Sequence, residues 1–282
     1  MKISAVVVLY NPDLSVVENI QSYACYVDRI FAVDNSDSQS NSVINIIKSI
    51  PNLSFISLHG NYGIAKALNV GVANSLQQNY EWILTMDQDS CFSGNPIDEY
   101  KKYIQNNRIS HRKIGLLCPQ YMHDRNRSRQ HEQYKQRSIV MQSANLVSAD
   151  AFREIGLYNE DLFIDGVDYE YCFRLRKAGY DIIQCRDAQL QHAPAETRLL
   201  KIGSFVLLRY GIASPLRYYY QARNLLYIAK EFKSFRIILI CICKLFKILL
   251  LFNDKANYLK MYFRGISDCL TTNFGKYNEK SK

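Results

Sequence analysis

The feature that most constrains the fold is an alternation of short apolar runs and helical patterns over the first 90 residues. The apolar runs lie at residues 3–9, 29–33, 53–58 and 81–86. Continuous apolar runs are typical of strands buried on both faces, and strands that alternate with helices of about ten to fifteen residues predict βαβ units. The sequence therefore predicts an α/β fold, with a mostly parallel central sheet flanked by helices.

Polar side chains follow three of these runs at the points where the predicted strands end. They are Tyr10-Asn11-Pro12, Asp34-Asn35-Ser36 and Asp87-Gln88-Asp89. The carboxyl ends of parallel strands meet at one edge of a sheet, where ligands bind next to helix N-termini. No G-x-G-x-x-G motif follows the first run, so a dinucleotide site of the NAD type is not expected.

Asp87 and Asp89 are candidates for a metal site. Two carboxylates one residue apart at a strand end can share a divalent cation that also holds phosphate oxygens. The same spacing is common in ordinary loops. The position of the motif directly after a predicted buried strand is what favours a metal site.

Two further places are candidates for binding a nucleotide. Asp34 can accept a hydrogen bond from the imide N–H of a pyrimidine base, or it can cap the helix that follows. The helix that begins after Asn61-Tyr62-Gly63 offers free N–H groups and a positive dipole end to an anion. A core helix that starts with a glycine explains the same residues, so both interpretations stay open.

Asp165, Asp168 and Glu170 form an acidic entry to another helical pattern. Acids three residues apart at a helix N-terminus point the same way, and one of them can act as a general base for a hydroxyl. The helix dipole alone also favours acids in a first turn. His192 is either a metal ligand or a core histidine.

The positive charge of the chain is concentrated in its C-terminal part. Residues 1–196 carry 19 basic and 22 acidic side chains, whereas residues 197–282 carry 16 and 4, a net charge of +12. We therefore expect a catalytic body at 1–196 and a basic, apolar, helical extension at 197–282. Such an extension attracts a nucleic acid or an anionic lipid surface. Its unbroken apolar runs argue against nucleic acid.

The apolar run at residues 235–252 contains Arg236, Lys244 and Lys247. On a helix these three fall within a sector of about 80°, as a cationic stripe on an apolar cylinder. This pattern predicts a helix in the membrane interface, and the alternative is a helix packed on the core with its lysines extending outward. The eight cysteines include no C-x-x-C pair, which predicts free thiols in the cytosol.

Six stretches, taken in order, resemble the inverting family 2 glycosyltransferases of the Rossmann-like GT-A fold. They are VVVLYNPD, VDNSDSQ, HGNYGIAKALNVGV, LTMDQDS, FIDGVDYEYCFRLRKAGY and QHAP. The likeness runs from Ile3 to Pro194 with order and spacing intact. Residues 214–230 (SPLRYYYQARNLLYIAK) also look like the region that marks rhamnosyltransferases of O-antigen and capsule synthesis.

The resemblance implies a role for each candidate around the nucleotide. Asp34 would bind the pyrimidine base, Asp87 would lie near the ribose and the metal, and Asp89 would hold Mg²⁺ or Mn²⁺ on the diphosphate. His192 matches a histidine that approaches the metal in some members. The other nucleotide-sugar contacts would come from Tyr10, Asn11, Pro12, Asn61, Gly63 and Lys66.

The resemblance also implies roles for the acidic entry and for the later stretch. Asp168 matches the catalytic base, and Asp165 is its rival because this chain has Val167-Asp168 where the family has Glu-Asp. Four residues would face the diphosphate or the lipid-linked acceptor: Arg217, Tyr218, Arg223 and Asn224.

The expected reaction moves L-rhamnose from dTDP-β-L-rhamnose to an undecaprenyl-diphosphate-linked saccharide. It would take place at the cytoplasmic face of the bacterial inner membrane, in O-antigen or other surface polysaccharide synthesis. The alternative donor is a UDP-hexose or UDP-galactofuranose. A more distant alternative is a basic membrane- or nucleic-acid-binding protein without catalysis.

Overall fold

The computed structural model describes residues 1–38, 41–92, 94–107, 113–122, 132–192, 197–202 and 205–278. The chain forms two compact units. The first unit comprises Met1–Tyr158 and Tyr171–Ala193, and the second comprises Asn159–Glu170 and Pro194–Lys282. This division differs from the boundary predicted at residue 196 in two ways: the segment Asn159–Glu170 belongs to the second unit, and that unit resumes at Pro194.

The first unit begins with the alternation that the sequence predicts. Its elements are β1 (Ile3–Leu9), α1 (Ser15–Ala24), β2 (Arg29–Asp34), α2 (Asn41–Lys48), β3 (Leu53–Ser57), α3 (Ile64–Gln77) and β4 (Trp82–Asp87). It continues with β5 (Ser90–Phe92), α4 (Pro96–Asn106), β6 (Lys113–Met122), β7 (Tyr134–Gln136), β8 (Asn145–Ser148) and α5 (Ala149–Ile155). After the internal segment come α6 (Val167–Lys177), whose first turn belongs to the second unit, and β9 (Tyr180–His192).

The sheet of this unit has the order β3-β2-β1-β4-β8-β6-β9-β5, with β7 also paired to β9. The first four strands in this order are parallel. Beyond them, β8 is antiparallel to β4 and to β6, β5 and β7 are antiparallel to β9, and β6 is parallel to β9. The prediction of a mostly parallel sheet is therefore right for the first four strands, whereas the rest of the sheet is mixed. Parallel neighbours need long crossover connections, and the regular helical crossovers stop at β4.

β1 lies at the centre of the core, and every residue from Ile3 to Leu9 is buried. α3 packs directly on this strand. A Cβ atom added to Gly71 would lie 2.3 Å from Cγ1 of Val6, so only glycine permits this approach. The close packing holds the N-terminus of α3 near the carboxyl ends of the parallel strands.

The second unit contains a short 3-10 helix (Glu160–Leu162), the antiparallel pair β10 (Thr197–Ile202) and β11 (Phe205–Gly211), and three helices. The helices are α7 (Pro215–Glu231), α8 (Phe235–Leu251) and α9 (Lys255–Leu270). The prediction of a helical extension is right for these three segments and wrong for residues 197–202 and 205–211, which are strands. Charged residues interrupt the apolar residues of both strands, and the periodicity of such short segments does not distinguish a strand from a helix.

α8 turns two of its three cations toward the protein. Lys244 Nζ donates to Oε1 of Gln221 (2.8 Å), and Lys247 Nζ donates to the carbonyl oxygen of Gly211 (2.5 Å). The expectation of an outward cationic stripe is therefore wrong for both lysines, because each ammonium finds an acceptor within the unit. Within the described ranges, no helix combines the length and the apolarity that crossing a membrane requires.

The outward side of α8 is apolar instead. Its exposed residues recur three or four positions apart and cover an arc of about 120°. We call them the apolar face of α8: Phe235, Ile238, Leu239, Ile242, Phe246, Leu249 and Leu250.

Candidate functional site

Gln88 ties the ends of β1 and β4 together. Its Oε1 accepts from the N–H of Tyr10 (2.8 Å), and its Nε2 donates to the carbonyl oxygen of Tyr10 (3.0 Å). This pair of hydrogen bonds presents the Tyr10 ring at the surface, 45% exposed. In the sequence, only the place of Gln88 between two aspartates points to such a role.

The loops after β1 and β2 are also joined. Asn11 has a left-handed backbone (φ 46°), and its N–H donates to Oγ of Ser36 (2.7 Å). The next residue, Pro12, is buried. The structure thus brings the polar segments after β1, β2 and β4 to one edge of the sheet, as expected from the parallel order.

One carboxylate oxygen of Asp34 accepts hydrogen bonds, and the other has no donor among the described residues. Oδ1 accepts from the N–H (3.2 Å) and the Oγ (2.6 Å) of Ser36, so this oxygen closes a local turn. Oδ2 is buried, and no group among the described residues donates to it. A buried, unpaired carboxylate oxygen is costly, so a donor supplied by a ligand would stabilise it. Because Asp34 is 0% exposed, a ligand reaches this oxygen only if the side chains that cover it move aside.

Asn61 and Gly63 lie in a turn that is linked to β2 by Asn35. Asn35 donates from Nδ2 to Oδ1 of Asn61 (3.2 Å) and accepts from the N–H of Tyr62 (2.8 Å). Oδ1 of Asn61 also accepts from the N–H of Gly63 (3.1 Å), the residue that caps α3. Lys66 is exposed in the first turn of that helix. The amide of Asn61 thus shapes the turn. Asn35 connects this turn to β2, a role that its place after Asp34 in the sequence does not reveal.

Asp87 is the last residue of β4 and Asp89 lies two residues beyond it, and the two side chains differ in exposure. Asp87 is half-buried, and its N–H donates to Oγ of Ser143 (3.2 Å), whereas Asp89 is exposed. The Ser143 hydroxyl donates in turn to Oγ of Ser90 (2.8 Å), which fixes the backbone on both sides of the acidic pair. The backbone of His192 pairs with Ser90, and its side chain lies outside the described part of the chain.

The donor set after β4 fits a magnesium or manganese ion that a substrate helps to bind. Among the described residues, no group of three or more His, Cys, Asp or Glu side chains is placed to hold a metal. Mg²⁺ is commonly bound through one or two carboxylates together with substrate phosphates, and Asp87 and Asp89 supply two hard oxygen donors of this kind.

Asp165 and Asp168 have different surroundings in the second unit. Both oxygens of Asp165 accept from Arg217, with Nε to Oδ2 at 2.5 Å and Nη2 to Oδ1 at 2.8 Å. Asp168 is the second residue of α6 and half-buried, and its Oδ1 accepts from the N–H of Tyr169 (2.9 Å). Because both carboxylate oxygens of Asp165 accept from one guanidinium, Asp165 is a weaker candidate for a base than the sequence suggests.

Tyr218, Arg223 and Asn224 are buried, which corrects the prediction that they face a diphosphate or an acceptor. Tyr218 is 2% exposed and packs edge-on against Phe252 and Tyr258, and this burial raises the pKa of its phenol. Arg223 and Asn224 are both 0% exposed. Their polar groups bond to the protein itself, so the polar pattern of this stretch serves internal packing.

Comparisons with known proteins identify relatives of the chain. Residues 4–164 match the family model described as Glycosyl transferase family 2. The chain is 26% identical over 306 residues to a protein of Shigella flexneri named dTDP-rhamnosyl transferase RfbF, with 98% of each chain covered.

Solved structures share the fold. S. aureus TarS 1-349 in complex with UDP has a TM-score of 0.55 at 16% identity, covering 96% of this chain and 72% of that one. GalNAc-T7 with UDP, GalNAc and Mn²⁺ has a TM-score of 0.60 at 12% identity, covering 94% and 55%. The chain spans 46% of the longer TarS structure. These likenesses show a mixed α/β fold of the GT-A type, with a central sheet flanked by helices.

Proposed function

Since the chain belongs to glycosyl transferase family 2 and is a glycosyltransferase, we propose that it moves L-rhamnose from dTDP-β-L-rhamnose to a lipid-linked saccharide. The choice of rhamnose rests on the name of the relative in Shigella flexneri, which aligns over nearly the full length of both chains. The nucleotide is supported by one observation above all, the buried Oδ2 of Asp34 that lacks a donor among the described residues. The acceptor is an undecaprenyl-diphosphate-linked saccharide, as expected for surface polysaccharide synthesis.

In this proposal the edge of the sheet binds the nucleotide. Oδ2 of Asp34 accepts from the imide N–H of the pyrimidine, a group that thymine and uracil share. Tyr10, Asn11 and Pro12 line the pocket, held in place by Gln88. Asn61, Gly63 and Lys66 offer the N-terminus of α3 to the diphosphate, since helix N-termini favour anions.

Asp87 and Asp89, with His192 as a third ligand, would hold Mg²⁺ or Mn²⁺. Bound there, the cation offsets charge on the departing nucleoside diphosphate. The residues of the chain supply the proton transfer. Asp168 takes the proton of the acceptor hydroxyl while the hydroxyl oxygen bonds to C1. The bond between C1 and the diphosphate oxygen breaks, and its electron pair stays on the diphosphate. A single displacement inverts C1, so a β-L-rhamnosyl donor gives an α-L-rhamnoside.

A donor screen by thermal shift tests the nucleotide and the sugar. We expect dTDP-L-rhamnose with Mg²⁺ or Mn²⁺ to raise Tm, since a ligand at a hundredfold excess over its Kd stabilises a protein by about 2.7 kcal/mol. Asp34→Asn replaces the open acceptor by a donor and should abolish the shift, whereas the exposed Asp98→Asn should keep it. A shift with a UDP-hexose alone, or an unchanged shift in Asp34→Asn, would contradict the assignment.

We further propose that the apolar face of α8 rests on the anionic surface of the cytoplasmic leaflet of the inner membrane. Residues 197–282 carry a net charge of +12 and would be drawn to that surface. Exposed cations also flank the helix, with Lys233 and Arg236 near its start and Lys255 just after its end. A helix with an exposed apolar face and flanking cations is typical of one that lies in the membrane interface.

Vesicle binding tests this proposal. Burying one large apolar side chain contributes about 1.5–3 kcal/mol, so Phe246→Glu with Leu250→Glu should weaken binding to vesicles containing phosphatidylglycerol more than about tenfold. Ile46→Glu makes the same chemical change at an exposed position of the first unit and should leave binding unaltered. Equal binding by the two variants, or binding to DNA in place of vesicles, would refute the proposal.

A further inference from the structure

The turn that leads into α6 has an unusual backbone. Phe163 and Asp165 both have φ of 62°, and Gly166 has φ of 85°. Left-handed backbone is unfavourable for a residue with a Cβ atom, and such residues persist only where the surroundings hold them in place. The residues that hold this turn therefore set the start of α6, where Asp168 lies.

α7 supplies the contacts that hold the backbone of the turn. Nδ2 of Asn224 donates to the carbonyl oxygens of Leu162 (2.8 Å), Ile164 (2.8 Å) and Asp165 (2.6 Å). The approach is close, since a Cβ atom added to Gly166 would lie 3.4 Å from Cβ of Asn224. One amide nitrogen of α7 thus shares its two N–H groups among three carbonyl oxygens of the turn.

The guanidinium of Arg223 contacts the residues that precede the turn in the chain. Its Nη2 donates to the carbonyl oxygens of Asp161 (3.2 Å) and Leu162 (3.1 Å). Its Nε donates to Oδ1 of Asn224 (2.9 Å), which orients the amide that holds the turn. Arg223 and Asn224 therefore act as one group toward the segment before α6.

The carboxylate of Asp165 is also bound by α7. Arg217 binds it with two hydrogen bonds, and Nε2 of Gln221 donates to its Oδ1 at 3.3 Å. Arg217 and Gln221 lie one helical turn apart on α7, so both hold the same carboxylate. Asp165 is thereby fixed through its carbonyl oxygen and both carboxylate oxygens.

We propose that Asp165 is a positioning residue of the transfer reaction. Its ion pair with Arg217 locks the left-handed turn on α7 and so fixes the direction in which Asp168 points. The inference rests on the proposed function, in which Asp168 is the general base. A base must lie within hydrogen-bond reach of the proton that it takes, and a displacement of about 1 Å can cost a hundredfold in rate.

Variants at Asp165 separate positioning from proton transfer. Asp165→Asn keeps an acceptor for Arg217 and tolerates a left-handed backbone, so kcat should stay within about tenfold of the parent. Asp165→Ala loses both properties, and we expect kcat to fall about ten- to a hundredfold, with the donor KM and the midpoint of the pH profile unchanged. Arg217→Ala removes only the ion pair, so kcat should fall, but no further than in Asp165→Ala. The double variant should be no worse than Asp165→Ala, because the two side chains act as a pair.

Hydrogen exchange provides a readout that does not depend on turnover. Amides of residues 159–168 should exchange faster in Asp165→Ala than in the parent, and at the parent rate in Asp168→Asn. Unchanged exchange and unchanged kcat in Asp165→Ala would overturn the inference, as would an inactive Asp165→Asn beside an active Asp168→Asn. If exchange rises as expected but the parent transfers no sugar from any donor, the proposed function fails and the hold of Asp165 on the turn stands.

Discussion

Replacing Asp168 with asparagine is expected to lower kcat by a factor of about 10²–10⁴, which is the usual contribution of a general base. Asparagine has the same shape and can still accept from the N–H of Tyr169, so the variant should fold. It has no basic lone pair with which to take the proton of the acceptor hydroxyl. The measurement is sugar transfer at saturating donor and acceptor, together with circular dichroism.

Two controls accompany this variant. Asp161→Asn changes an exposed acid in the same segment and should keep the parental rate, because the backbone carbonyl of Asp161 is what contacts Arg223. The thermal shift caused by the donor should also persist in Asp168→Asn, since Asp34, Asp87 and Asp89 are intact. Full activity in Asp168→Asn would remove Asp168 from the role of base.

Replacing Arg223 with alanine is expected to destabilise the second unit by about 3–5 kcal/mol. The guanidinium donates to the carbonyl oxygens of Asp161, Leu162 and Gly275, which the variant leaves without this partner. It also lies 5.1–5.4 Å from the ring centroids of Tyr219, Tyr220 and Phe274. Both the lost charge-assisted hydrogen bonds and the cavity lower the free energy of unfolding.

Urea unfolding measures this effect as a lower midpoint at an unchanged m-value. Lys230→Ala, at an exposed position of the same helix, should change the free energy of unfolding by no more than about 0.5 kcal/mol. Arg223→Lys keeps the charge and can reach fewer of the carbonyl oxygens, so its midpoint should lie between those of the parent and Arg223→Ala. Parental midpoints in both Arg223 variants would show that these hydrogen bonds do not stabilise the unit.

The parallel half of the sheet could be predicted from the sequence nearly residue by residue. The predicted strands at 3–9, 29–33 and 81–86 correspond to β1, β2 and β4, each within about one residue. Strands buried on both faces leave long apolar runs, and turn residues end them. The same pattern makes Asp34, Asp87 and Asp89 candidates, because polar residues at the ends of such strands are easily recognised.

Other features depend on partners that lie far away in the chain. Arg223 and Asn224 bond to carbonyl oxygens about 60 residues upstream, and nothing local distinguishes them from ligand-binding residues. Lys244 and Lys247 form a stripe in the helical projection, but their direction depends on acceptors at Gln221 and Gly211. The antiparallel strands β8 and β5 likewise depend on pairing that no short segment encodes.

A protein shortened at residue 196 would keep every acidic residue proposed here for the metal and for proton transfer, and it would lose α7. The turn at Asp165 would then lack Arg217, Gln221, Arg223 and Asn224, although its own sequence would be intact. Such a truncated enzyme should still bind nucleotide and yet turn over poorly. In the proposed mechanism, residues 197–282 are therefore needed for turnover as well as for membrane binding, because α7 holds the turn that positions Asp168.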